Sequence, residues 1–464
     1  MGSTRGQYQI VLALALLLVP VPAVWAYSAL DQAPPHAEPL AKSHARPQAE
    51  PQAGPQAEPQ SRAEVLRRQR QAKLLELTPQ TPDSIERRML VLEDPESRNL
   101  MDANVWGFYP RTQFVSRGSG IGLGTRFWRP NVGGRPLDIA GSAFYTLKKY
   151  QYYDFQIGRI PHADYSLPLR SWKGDDVYEL ADTRLPGSAK LTLYGTLRFR
   201  HLPQEDYFGL GPDSSLENHT TYRQDDATAE LVAGYALAPW FQVAARGGYQ
   251  TYDIGPGEDS NLPSIDDVFN PVTAPGLLAQ PDFTRLTGQL IIDRRDEPGN
   301  PHRGVVIAIA ASRYDDIDGD DFRFNRFALD ARAFVPLGNP QRIIALRLRG
   351  FFDDPLIGRV PFYLQESLGG SHTLRGFDSF RFRGEKVILG QVEYRWLAAL
   401  PFEFAVFYDI GTVSAPGKDL DFDDLKSNWG VGLRIKNFRT TLVRLDYARS
   451  FETSVFMFRV SSSF

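Results

Sequence analysis

The sequence predicts an all-β chain, a sixteen-stranded antiparallel β-barrel that spans a membrane. Three observations predict it. Apolar and polar residues alternate with a period of two from about residue 105 onward, connections alternate between short turns and long polar loops, and the chain ends in an aromatic strand. A strand with one apolar face and one charged face fits a barrel whose outside meets lipid and whose inside is wet.

Composition agrees once it is read by face. The 464 residues carry 52 Lys+Arg against 55 Asp+Glu, a formal charge of −3, and no cysteine. That balance gives no polycationic surface, so nucleic-acid binding is not expected. Mean hydropathy is −0.32. No apolar run of about 18 residues follows the N-terminus, which excludes a helical membrane protein but not a barrel, where alternate residues face lipid. Gly 39 and Pro 34 add up to more than usual, in line with many turns and a low-complexity segment.

Four regions follow along the chain. Residues 1–26 combine Arg5, an apolar stretch from Ile10 to Val19 and small residues near a cut before Tyr27, the layout of a secretory signal peptide. Residues 27–60 form a disordered periplasmic linker, with proline repeated at Pro47, Pro51, Pro55 and Pro59, an extended spacer that cannot bury a core. Residues 61–104 hold one short basic helix and a connector: Ser61 and Glu64 make a capping box, Ala63 to Leu77 are good helix formers, and Pro79 stops them. Arg62, Arg67, Arg68, Arg70 and Lys73 could touch anionic lipid or a partner; a solvated helix is the plainer reading, because the apolar stripe is poorly aligned. Residues 105–464 are the barrel.

Within the barrel, Leu191, Leu193, Gly195, Leu197 and Phe199 alternate with Thr192, Tyr194, Thr196, Arg198 and Arg200. Counting back from the C-terminus gives strands near 453–464, 440–449, 428–437, 401–411, 386–397, 340–352, 322–336, 304–314, 284–294, 240–252, 222–237, 189–201, 150–160, 137–147, 118–129 and a poorly formed one near 106–116. Short turns such as Pro239-Trp240 and Leu337 to Pro340 lie at one end; long loops at 203–221, 253–283, 315–321, 353–385 and 412–427 lie at the other. Sorting by parity orients the barrel, short turns periplasmic and long loops outside. The connection 161–188 breaks the rule by being long.

Faces follow from parity. Ile388, Gly390, Val392, Tyr394 and Trp396 point outward, which leaves Glu393 inside; Phe402, Phe404, Val406 and Tyr408 point outward, which leaves Asp409 inside. Two lumenal carboxylates are where an arginine of loop 353–385 could pair bidentately, the plain alternative being solvated lumen charges. Trp396, Tyr408 and Trp429 suit an aromatic girdle, and Phe456, Phe458, Val460 and Phe464 share one face of the last strand.

Several stretches resemble the BamA/TamA superfamily of outer-membrane assembly barrels, the bacterial surface-antigen domain. Asp293-Arg294-Arg295-Asp296 with Pro301 and Gly304 is similar to its strand-turn-strand motif, and Leu368 to Phe377, ending Leu374-Arg375-Gly376-Phe377, to its sixth-loop signature. Phe407-Tyr408-Asp409-Ile410-Gly411 and Trp429-Gly430-Val431-Gly432-Leu433-Arg434 are similar to late-strand motifs, and Tyr207 to Gly211 to an element of short members. The resemblance implies a sixth loop folded into the lumen, with Arg375, Gly376 and Phe377 latched onto Glu393 and Asp409, and a C-terminal assembly signal in Phe456, Phe458, Val460 and Phe464. It implies insertion or export of proteins or lipids at the bacterial outer membrane, with a diffusion channel or structural barrel as the alternative. Expected partners are outer-membrane lipid and lipopolysaccharide, and the barrel assembly machinery and periplasmic partners through residues 61–77. A monomeric barrel is expected. One departure stands out: residues 27–104 leave no room for a periplasmic substrate-capture repeat beside the linker.

No enzyme, cofactor or metal is expected. The seven histidines are scattered, and no G-x-S-x-G nucleophile elbow occurs. Asp315, Asp316, Asp318, Asp320 and Asp321 crowd one outer loop, but a calcium loop from Asp316 would need Gly at 321 and Glu at 327, where Asp and Phe stand. A solvated acidic loop is the better reading.

Overall fold

The computed structural model describes residues 107–459, apart from 117, 161–190, 298–299, 320, 400 and 437–440. The signal-peptide, linker and helix readings, the segment 161–188, Val460 and Phe464 lie outside the described residues.

The strands are β1 (Phe108–Phe114), β2 (Ile121–Arg129), β3 (Asp138–Thr146), β4 (Gln151–Arg159), β5 (Leu191–Tyr207), β6 (Thr220–Ala238), β7 (Phe241–Pro256), β8 (Phe283–Asp293) and β9 (Gly304–Asp316). They continue with β10 (Arg323–Leu337), β11 (Asn339–Ile357), β12 (Glu366–Leu368), β13 (Phe382–Gly384), β14 (Lys386–Ala399), β15 (Phe402–Val413), β16 (Lys426–Lys436), β17 (Thr441–Arg449) and β18 (Ser454–Arg459). Sixteen of them form one antiparallel sheet in chain order, with β12 and β13 set aside as a separate hairpin. Each strand pairs with its neighbours in sequence, the meander of an up-and-down barrel, and β1 and β18 are the two ends of the order.

The expected strand windows match these sixteen, with three corrections. Several strands run well past the predicted ends: β5 continues to Tyr207, β7 to Pro256 and β11 to Ile357, so the outer loops start later. Glu205, Asp206 and Tyr207 pair with Tyr222, Thr221 and Thr220, so the β5–β6 ladder continues past the predicted end of β5. The first strand is regular rather than poorly formed, since all seven of its residues pair in register with β2 from Phe108↔Phe127 to Phe114↔Ile121. Finally, not every outer connection is long: 147–150 and 450–453 are tight turns, and long loops are concentrated at 208–219, 257–282, 358–385 and 414–425.

The two faces have the chemistry that parity assigned. Leu193, Leu197, Phe404 and Val406 are exposed outward, as are Trp396, Tyr408 and Trp429. Trp396 sits beside Phe404, ring centroids 6.2 Å apart, and Tyr408 pairs in register with Trp429. Inside, the largest fully buried side chains include Arg349, Arg375, Arg395, Arg434 and Arg444. This interior is a charged one, the inverse of a soluble sandwich core.

Val406 stands mid-strand on the outward face of β15. Val406→Arg should therefore cost about 2–4 kcal/mol, the penalty of a cation near the bilayer midplane, in urea unfolding from lipid vesicles. A cost near zero would mean that this face does not meet hydrocarbon.

Candidate functional site

The segment 358–385 connects β11 to β14 and is the sixth connection on the outer side. It turns back into the lumen for a simple reason: Leu368, Leu374, Phe377 and Phe382 are too apolar for an outer loop. They are buried against Ala308, Ala310, Ala328, Val387, Leu389 and Val413 of the inner wall. Three of those wall positions are alanines, whose small side chains leave the space the loop fills. At its tip, Thr373 Oγ1 donates to the Gly369 carbonyl and accepts from the Gly369 N–H, both at 2.9 Å, and Gly370 N–H donates to the Phe377 carbonyl at 3.0 Å. The closed turn presents Arg375 to the wall.

Arg375 meets both acids that parity placed inside. Its Nε and Nη2 donate to Asp409 at 2.8 and 2.6 Å, a bidentate pair, and its Nη1 donates to Glu393 at 2.8 Å. The guanidinium lies over the Phe407 ring, 3.4 Å from the centroid. Burial disfavours its charged form, but Asp409 and Glu393 outweigh that and hold its pKa above the ordinary value. Asp409 also accepts from Gln391 Nε2 at 3.0 Å and Asn428 Nδ2 at 2.9 Å, so both its oxygens are saturated. Gln391 Nε2 reaches the Thr373 carbonyl at 2.8 Å as well, tying wall to loop a second time.

Glu393 holds more than one cation. Arg395 Nε donates to it at 2.6 Å, Arg434 Nη2 lies at 2.7 Å and Arg444 Nη2 donates at 3.1 Å. Asp446 takes Arg444 Nε at 2.5 Å. Sequence reasoning found Arg375, Glu393 and Asp409 but missed Gln391, Arg395, Asn428, Arg444 and Asp446. The signal was available in part: Gln391 and Arg395 share the parity of Glu393 on β14, and Arg444 and Asp446 alternate on β17.

Two glycines of the motifs make room. A Cβ at Gly376 would stand 2.6 Å from Asn428 Cβ and 3.0 Å from the Ser450 nitrogen, so only glycine lets the tip approach β16 and the end of β17. A Cβ at Gly430 would stand 2.2 Å from Phe407 Cζ, the ring beneath Arg375.

The other motifs support this site from its edges. Gly211 N–H donates to the Arg383 carbonyl at 2.8 Å, and Arg381 lies over Phe208, so the stretch from Tyr207 to Gly211 buttresses the loop from above. Arg381 Nε and Nη2 donate to Glu452 at 2.9 and 2.8 Å, and Phe377 packs on Phe451, which ties the loop to the β17–β18 turn. Asp293 and Asp296 shape the β8–β9 turn: Asp293 takes Arg295 side-chain nitrogens at 3.0 and 2.9 Å, and Asp296 accepts the N–H groups of Glu297, His302 and Arg303. In the acidic outer loop, Asp316 accepts the N–H groups of Asp318, Gly319, Asp321 and Phe322 and so acts as a loop cap. Phe456 and Phe458 are exposed on the outward face of β18.

Removing one partner from a buried ion cluster leaves charge uncompensated, at about 3–5 kcal/mol. Arg375→Glu should accordingly lower the temperature at which the folded band is lost on semi-native gels, and Arg375→Lys should rescue little, because a point charge cannot chelate Asp409 while reaching Glu393. An unchanged band in both would remove the cluster from any structural role. Gly430→Leu should displace the Phe407 ring and cost about 1–3 kcal/mol in the same assay, with Val431→Leu on the outward face as a neutral control.

A comparison with curated proteins finds no match. Among solved structures, BamA from Haemophilus ducreyi lacking POTRA domains 1–3 is similar over 77% of this chain and 69% of that one, at 14% identity and a TM-score of 0.53. CdiB from Acinetobacter baumannii matches 74% of this chain and 54% of its own at 13% identity and a TM-score of 0.42. CdiB from Escherichia coli matches 77% and 61% at 12% identity and a TM-score of 0.45. The family model described as the Omp85 superfamily domain matches residues 121–464, nearly the whole barrel including the latched loop, and the chain therefore belongs to the Omp85 superfamily.

Proposed function

We propose that this chain works in the bacterial outer membrane as a barrel that takes part in inserting or exporting proteins or lipids, with the sixth loop as its latched plug. The observation that carries the reading is Arg375 bound by Asp409 and Glu393 deep in the lumen, with Leu368, Leu374, Phe377 and Phe382 packed dry around it. A diffusion channel needs a continuous wet path, and an apolar loop fixed inside the lumen narrows one. Edge strands give the second support. β1 and β18 are the ends of the pairing order, and a strand with an open edge can receive another strand. Outer-membrane lipid and lipopolysaccharide are its surroundings in this reading, residues 61–77 are a contact for periplasmic partners, and no catalysis is assigned to it.

Planar bilayers separate this from a channel. The protein should give no steady open pore, Arg375→Glu should give intermittent openings, and depletion in the cell should reduce other outer-membrane components. A stable porin-like conductance from the unaltered protein, with an unchanged envelope on depletion, would overturn the proposal.

A further inference from the structure

The sixth loop does not fill the whole lumen. A cavity of about 570 Å3 remains between the loop, the walls from β5 to β10 and the last strand. It runs along β18 from Val455 to Arg459 and reaches Ser116 and Gly118 in the turn after β1.

Its lining has donors to spare. Arg383 Nε, Arg459 Nε, Gln289 Nε2 and Tyr363 Oη all line the cavity and find no acceptor among the described residues, though all four residues are more than nine-tenths buried. Arg383 is the clearest case. Its Nη1 donates to the Phe362 carbonyl at 2.7 Å and its Nη2 to Tyr222 Oη at 3.5 Å, both neutral, and the rings of Tyr207, Tyr222 and Phe380 surround it. Among the described residues it makes no ion pair. By contrast Arg200, Arg285 and Arg326, on the same cavity, are matched by Asp226, Glu230 and Asp353. Of the remaining lining acids, Glu205 accepts from Ser116 Oγ at 2.8 Å through one oxygen and faces Arg383 through space with no ion pair formed, Glu366 pairs with Arg349 at 3.1 Å, and Asp378 is exposed. A buried guanidinium with no ion-pair partner among the described residues, beside an empty volume, is chemistry suited to an oxyanion.

The cavity also meets lipid. Among the described residues β18 pairs with β17 alone, and Phe456 and Phe458 on its other face are exposed outward. One volume thus joins a cationic interior to the hydrocarbon side of an edge strand. We infer that this cavity binds a phosphate-class oxyanion, and that its source is the headgroup of an anionic membrane lipid, seated near Arg383, Gln289 and Tyr363 with its chains leaving past Phe456 and Phe458. A free phosphate would use the same donors but gives Phe456 and Phe458 nothing to do. An extended peptide would be read by the open backbone edge and needs no buried guanidinium. The inference rests on the proposed insertion or export role only for the route of entry.

The test uses the full chain purified in detergent, mixed with phosphatidylglycerol or phosphatidylcholine and read by native mass spectrometry. Both headgroups carry a phosphodiester, but choline supplies its own cation to it, so the Arg383 guanidinium predicts at least about tenfold preference for phosphatidylglycerol, lost in Arg383→Gln and kept in Arg383→Lys. Gln289→Leu, which carries no charge, should weaken retention by a smaller factor and serves if Arg383→Gln fails to fold on semi-native gels. Equal retention of both lipids, or of phosphatidylglycerol by both variants, would overturn the site; retention of inorganic phosphate or a peptide without lipid would overturn the lipid source. Binding by a chain whose depletion leaves the envelope unchanged would instead sink the proposed function and leave the site standing.

Discussion

A guanidinium taken out of water must be met on every side, and Arg375 is the residue on which this barrel's interior turns. Two carboxylates, one ring and one backbone N–H converge on the same loop tip, where Asp409 also accepts from the Arg375 nitrogen at 3.3 Å. No exposed ion pair would hold a loop of this length, since such pairs are worth about 0–1 kcal/mol. Burial changes the scale, because here the alternative to pairing is a charge stranded in low dielectric. The rest of the loop answers that requirement: apolar anchors that exclude water, a closed turn that fixes direction, and Gly376, which lets the tip come close enough.

The wall is built for the loop as much as for the membrane. Strands β14 to β17 contribute Glu393, Asp409, Asn428 and Asp446 at inward positions, while their outward positions carry Val392, Phe404, Val406 and Trp429. Period-two geometry allows the two requirements to be met independently on one strand. Glu393 among Arg375, Arg395, Arg434 and Arg444 joins three strands and the loop in one network. Such a network is high-stakes in either direction: complete, it fixes one arrangement, and short of one member it leaves several cations facing each other.

How much of this was legible in the sequence follows from what parity carries. Parity fixes the face of a side chain, so Glu393 and Asp409 could be placed inside before any coordinates, and Trp396, Tyr408 and Trp429 outside. It does not fix height along the barrel. That needs register, which depends on turns and on pairing with neighbours. Arg444 and Asp446 were therefore invisible as members of the site, although their facing direction was not. The strand ends failed for a related reason: outside the membrane both faces are polar, alternation fades, and Glu205 or Asp253 in a continuing ladder looks like loop. The acidic loop at Asp316 misled through composition, since its carboxylate serves backbone N–H groups within two to six residues, a local use that counting charges cannot reveal.

One asymmetry ties these points together. The loop is held unevenly: Arg375 and Arg381 pair with acids on β14, β15 and the β17–β18 turn, while toward β5 to β10 the loop packs apolar residues on Tyr207, Tyr222, Ile254, Ala308, Ala310 and Ala328 and leaves the cavity beside them. The lumen on the Arg375 side is dense with ion pairs, and on the β5 to β10 side it keeps a polar, underfilled half. The underfilled half borders β18, the strand whose outer edge has no partner in the sheet order. Order and free volume are thus placed by the same contacts: Arg381 on Glu452 and Phe377 on Phe451 hold the last hairpin to the plug, while Arg459, one turn of the pleat away, reaches the cavity and donates to His372 on the loop at 2.7 Å. Three residues that line the space between the plug and the edge strand, His372, Phe377 and Arg459, are also residues that join them.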